Sequence, residues 1–67
     1  MKFNENLKHL RKVKGVLQKE VAAYLGITQK AYGFYELGQR EPSINTILKL
    51  CDYFEVTADE LLGRNIK

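Results

Sequence analysis

The chain has 67 residues, enough for one domain; at this size folding buries only about 60% of the unfolded surface, which excludes a large enclosed pocket or a many-part active site. Hydrophobic residues make up 45% and charged residues 28%, ordinary for a globular domain, and the net charge is +3. No apolar run approaches the ~20 residues of a membrane span, and one cysteine, Cys51, excludes an intrachain disulfide.

Punctuation divides the chain into five short helical segments. The first is expected over residues 4–14, capped by Asn4, with Leu7, Leu10 and Val13 at helical spacing and Gly15 ending it. The second, residues 18–25, carries Val21, Ala22 and Leu25 on one stripe and stops at Gly26. The third, residues 29–37, follows Thr28 as N-cap and ends at Gly38. Tyr32-Gly33-Phe34-Tyr35 has strand propensity, but it lies between a cap and a glycine stop at helical length. The fourth, residues 43–54, starts at Ser43 and places Ile44, Ile47, Leu48 and Cys51 on a core stripe reaching Phe54 or Glu55. Thr57-Ala58-Asp59-Glu60 reads as a capping box for a fifth helix over residues 58–62, closed by Gly63.

Charge is unevenly spread. Residues 1–40 hold eight Lys/Arg against three Asp/Glu, and residues 41–67 hold three against five. The basic half favours a polyanion, and the acidic half is expected to face away from it. Met1 to Leu10 is polar and lacks the apolar stretch of a signal peptide, so a cytoplasmic chain is expected, with no membrane partner. No nucleophile–base pair, carboxylate pair or phosphate loop is present, which argues against an enzyme. His9 has no companion at metal-ligand spacing, and no cofactor or small-molecule ligand is evident.

The informative stretch is Gln18 to Leu37: a helix, a tight turn at Gly26, and a second helix opening at Gln29. Gly26 allows the positive φ of the turn. Ala22 is small because the second helix crosses close above it. Ile27, Tyr32 and Tyr35 then point inward. Gln29, Lys30, Gly33 and Phe34 point outward, on the face that a recognition helix offers to base edges.

The runs Gln18-Lys19-Glu20-Val21-Ala22-Ala23-Tyr24-Leu25-Gly26-Ile27-Thr28 and Tyr35-Glu36-Leu37-Gly38-Gln39-Arg40-Glu41-Pro42-Ser43 resemble the Xre/Cro family of phage-repressor-like regulators. Leu7-Lys8-His9-Leu10-Arg11 and Ala58-Asp59-Glu60-Leu61-Leu62-Gly63 are similar to it too. The resemblance covers roughly residues 4–63. It implies an all-α, five-helix, lambda-repressor-like domain of bacterial or phage origin. It also implies a homodimer that binds a near-palindromic operator in double-stranded DNA, as a repressor.

Carried onto this chain, the resemblance places Gln18 against a phosphate and Thr28 among the DNA contacts. It gives Gln29 and Lys30 to base edges, since Gln pairs with adenine and Lys donates to guanine. Phe34 occupies a base-reading position, where an apolar ring favours a thymine methyl, and Arg40 is a phosphate contact. Arg11 and Glu36 match an ion pair that ties the first helix to the third. Leu17 stands where the family has a Ser or Thr cap. Tyr32 replaces a smaller core residue, so its hydroxyl must reach the surface or a partner. Gly33 replaces a larger DNA-facing residue, which removes a contact or permits closer approach.

Leu50, Tyr53 and Phe54 exceed what one core stripe requires. With Leu61 and Ile66 they are expected to form an exposed apolar patch serving as the dimer interface. A second functional class, a protein-interaction module such as an antitoxin or anti-repressor partner, calls for an acidic outward face; Thr28 to Tyr35 holds Lys30 and no acid.

Overall fold

The computed structural model describes residues 2–63 as five helices, with no strand among them: α1 (Phe3–Lys14), α2 (Gln18–Leu25), α3 (Gln29–Leu37), α4 (Ile44–Phe54) and α5 (Ala58–Leu62). Each boundary has a local cause. The hydroxyls of Thr28, Ser43 and Thr57 accept the N–H of Ala31, Thr46 and Glu60 at 3.1, 3.2 and 3.1 Å, satisfying donors that a helix start leaves open. At the other end of α2, Gly26 adopts φ 74°, ψ 29°, and its N–H reaches the carbonyls of Ala22 and Ala23. No helix among the described residues is long and apolar enough to cross a membrane.

α1 starts one residue earlier than expected. Lys2 is its extended N-cap and supplies no side-chain bond. Asn4 is already helical and lies against Gly38 instead; a Cβ built on Gly38 would sit 3.1 Å from Asn4 Cγ. α2 begins without a hydroxyl cap. Leu17 has no acceptor, so only half of a capping box exists: Glu20 Oε1 accepts the Leu17 N–H at 2.7 Å.

The core consists of Leu7, Val21, Ala22, Leu25, Tyr32, Leu50, Phe54 and Leu61, with contributions from all five helices. Fully burying each large apolar side chain contributes roughly 1.5–3 kcal/mol. The core faces of α2 and α3 follow the sequence pattern. Tyr32 is buried, and Ile27 and Tyr35 are half-buried against the core. α5 is tied to α1 by the Asn6 carboxamide, which donates to the carbonyls of Glu60 and Leu61.

The fourth helix departs from expectation. Its inward stripe is Ile47, Leu50, Cys51 and Phe54, whereas Ile44 and Leu48 are 78% and 54% exposed. Two overlapping i, i+3, i+4, i+7 stripes exist on this helix, and the one ending in the large Phe54 faces inward. The expected dimer patch fails because Leu50 and Phe54 lie on that inward stripe and Leu61 is the buried residue of α5, so all three are core residues, not surface. Tyr53 is half-buried, its ring 4.7 Å from that of Tyr24 and 5.2 Å from Lys14 Nζ. Ile66 lies outside the described residues. Val13, expected to share the inward stripe of α1, is 71% exposed.

Candidate nucleic-acid interface

α3 is held by a single buried acid. Glu36, near its end, has a side chain only 3% exposed and accepts four hydrogen bonds. Oε2 receives Arg11 Nε and the Tyr32 hydroxyl, each at 2.6 Å. Oε1 receives Arg11 Nη2 at 3.2 Å and Gln18 Nε2 at 3.0 Å. Arg11 also donates through Nη1 to the Val16 carbonyl at 3.0 Å. The Arg11–Glu36 pair read from the sequence is therefore present, and it links α1, α2 and α3. The sequence reading missed that Tyr32 and Gln18 complete it. The signal available was the i, i+4 spacing of Tyr32 and Glu36, which puts both on one helix face.

The protonation states follow from this arrangement. Burial pushes the Glu36 carboxyl up, but bonds from Arg11, Tyr32 and Gln18, with the charge of Arg11, outweigh it and hold the group below its ordinary value. The bond to Glu36 raises Arg11 above its ordinary value, against burial acting the other way. Burial, then the neighbouring carboxylate, drives the Tyr32 phenol far up, so it stays a neutral donor. Burial, with Asp52 beside it, raises the Cys51 thiol, which leaves a poor nucleophile.

With its inner side fixed this way, α3 turns Gln29 and Lys30 fully outward, and Gly33 and Phe34 are half-buried beside them. Thr28 is exposed, but its hydroxyl is engaged as the N-cap of α3. Gln18, at the start of α2, is half-buried, and its Oε1 lies 3.9 Å from where a Cβ on Gly33 would stand. Arg40, past the Gly38 turn, folds back so that its guanidinium carbon is 5.5 Å from the Phe34 ring centroid. The sequence did not reveal that stack. The structure thus brings Gln18 beside Gly33 and Arg40 beside Phe34. Apart from the Thr28 hydroxyl and the amide nitrogen of Gln18, the side-chain polar groups of these residues make no hydrogen bond within the described residues.

Comparison with known proteins agrees with this architecture. The chain is 47% identical over 60 residues to the uncharacterized HTH-type transcriptional regulator YqaE of Bacillus subtilis, covering 90% of this chain and 52% of that protein. It is 36% identical over 64 residues to the cryptic phage CTXphi transcriptional repressor RstR of Vibrio cholerae, covering 96% of this chain and 57% of the repressor. It therefore spans about half the length of the curated relatives it matches. These relatives carry the names of regulators, not of enzymes. The phage P22 c2 repressor, solved with a synthetic operator, superposes with a TM-score of 0.88 at 22% identity over 97% of this chain and 98% of that one. That likeness establishes the phage-repressor-like five-helix fold expected from the sequence. A family model described as helix-turn-helix matches residues 7–61, nearly all of what the five helices occupy, and with the identities above it places the chain in the helix-turn-helix family of DNA-binding regulators.

Proposed function

We propose that the chain is a transcriptional repressor that binds double-stranded DNA sequence-specifically, with α3 in the major groove. One observation carries this reading: α3 is anchored from within by the Glu36 network while the outer side of its first turns faces solvent. Gln29 and Lys30 supply hydrogen-bonding groups for base edges there. Gln18, at the start of α2, and Arg40 supply phosphate contacts on either side. The basic balance of residues 1–40 supports it, because phosphate neutralisation dominates affinity. The repressor role draws on RstR, a relative of that name.

The protein acts as a homodimer on a near-palindrome, its two copies of α3 about 34 Å apart. The self-associating face is the outer side of α4, where Ile44 and Leu48 are exposed without a structural role in the monomer.

Selection of bound duplexes from a random DNA pool tests the reading. A recurring half-site in inverted repeat is the expected outcome, with affinity falling steeply as salt rises. Binding with no base preference overturns it.

A further inference from the structure

Large apolar side chains are exposed in two places. Leu37, Ile44 and Leu48 lie at the end of α3 and on the outer side of α4, whereas Val13, Leu17 and Tyr24 lie at the end of α1 and along α2. The second group takes no part in the core or in the proposed DNA face. Leu17 and Tyr24 are seven residues apart, so they share one side of α2 in a row about 10 Å long. Gln18, bonded to Glu36, marks the side of α2 that meets α3. Leu17 and Tyr24 stand roughly 100–120° round the helix from it, turned away from α3. The row continues onto α4, where the Tyr53 ring centroid is 4.7 Å from that of Tyr24.

Two cations border the row. Lys14, next to Val13, holds its Nζ 5.2 Å from the Tyr53 ring centroid. Lys49 is exposed one turn before Tyr53, on the same side of α4. Neither lies within ion-pair distance of a carboxylate among the described residues. The acid in the row, Glu20, is turned to the Leu17 N–H. Such a face calls for apolar side chains at matching spacing with carboxylates beside them. With no strand among the described residues, there is no sheet edge for an extended segment to join. A helix with apolar residues at i, i+3 or i+4, and i+7 offers a row of the same length.

We infer that the face formed by Val13, Leu17, Tyr24 and Tyr53, bordered by Lys14 and Lys49, docks an acidic amphipathic helix of another protein. A partner seated there leaves α3 free, so the chain holds partner and DNA at once. That last step rests on the DNA-binding reading above; the docking does not.

The test titrates the full, isotopically labelled chain with a designed peptide of about 18 residues, long enough to hold a helix alone. It carries leucines at i, i+3, i+4 and i+7 with glutamates beside them, and a twin carries lysines in their place. Amide resonances around Val13, Leu17, Tyr24 and Tyr53 are expected to move. The glutamate peptide should bind at least about five-fold more tightly than its twin, the size of two exposed ion pairs. Leu17→Ser should weaken it about ten-fold, as loss of one buried leucine does. Lys14→Glu with Lys49→Glu should reverse the preference between the peptides, which a mere loss of stability would not do. Saturating the chain with DNA recovered from the random pool should leave the peptide affinity unchanged.

Equal affinity for the two peptides overturns the docking, as do shifts that map to Ile44 and Leu48 instead. So does the absence of any shift at about 1 mM peptide. Movement of the same amides when the chain alone is concentrated gives the face to a second copy and overturns it as well. Competition between peptide and DNA overturns joint occupancy alone. The titrations without DNA decide the docking whatever the random pool yields.

Discussion

The Tyr32 hydroxyl donates to Glu36 Oε2 at 2.6 Å across one turn of α3, so the largest core side chain also fills the last lone pair of the carboxylate that holds the helix. A smaller apolar residue at this position would leave that lone pair to water or to nothing. The larger ring and the buried acid are one device: each gives the other a place in the core.

Tyr32→Phe tests that device directly. Removing a hydrogen bond to a buried charge while keeping the ring is expected to cost about 2 kcal/mol. For a domain this small the melting temperature should fall by roughly 8–16 °C. An unchanged melting curve would mean that the hydroxyl contributes nothing to the anchor.

Stability should depend on acid through Glu36. Its carboxyl is depressed in the folded state, so its stabilisation is fully present above the unfolded value of about 4.3 and is lost as pH falls through the lower folded value. Urea unfolding between pH 3 and 7 should show stability declining below about pH 4.3, in part through this group. Glu36→Gln should be less stable at neutral pH and show a shallower acid slope. Equal slopes in both proteins would place the acid sensitivity elsewhere.

Leu17→Ser should stabilise. Leu17 is 57% exposed and cannot cap α2, whereas a serine hydroxyl would complete the box that Glu20 half forms. A gain of about 1 kcal/mol in chemical denaturation is expected. A loss would show that the exposed leucine has a partner in solution.

Ile44→Asp with Leu48→Lys should leave the fold almost untouched, because both side chains are largely exposed and such sites change stability within about 0.5 kcal/mol. Sedimentation should nonetheless show a monomer under conditions where the parent chain, on the reading proposed above, sediments as a dimer. A variant that still dimerises would move the interface away from α4.

Two substitutions on the proposed DNA face should fail differently. Gln29→Ala should relax preference at one base pair by about 1–3 kcal/mol and leave others unchanged. Arg40→Ala should weaken binding to every duplex and lower the salt slope by about 1. The opposite pattern would exchange their roles.

The helix-turn-helix was legible because its signals are local. Gly26 and Thr28 sit at fixed offsets, and Val21, Ala22 and Leu25 are buried where the stripe put them. The inner side of α3 was legible for the same reason, down to the need of Tyr32 for a polar partner. The face of α4 was not. Apolar residues surround that helix widely enough for two registers, and only the position of α5 and the bulk of Phe54 select one. The stack of Arg40 on Phe34 was illegible too, since it depends on how the chain reverses after Gly38.

The brevity of these helices sets how the protein can fail. α1, the longest, has 12 residues and α3 has nine. Segments under about 12–15 residues are marginal in water alone. A synthetic peptide copying residues 29–37 would be largely coil, and its affinity for any duplex would be slight. The shape proposed to fit the groove exists only while the whole body is intact, so, on that reading, heating should end DNA binding in one cooperative step together with melting, with no gradual loosening beforehand.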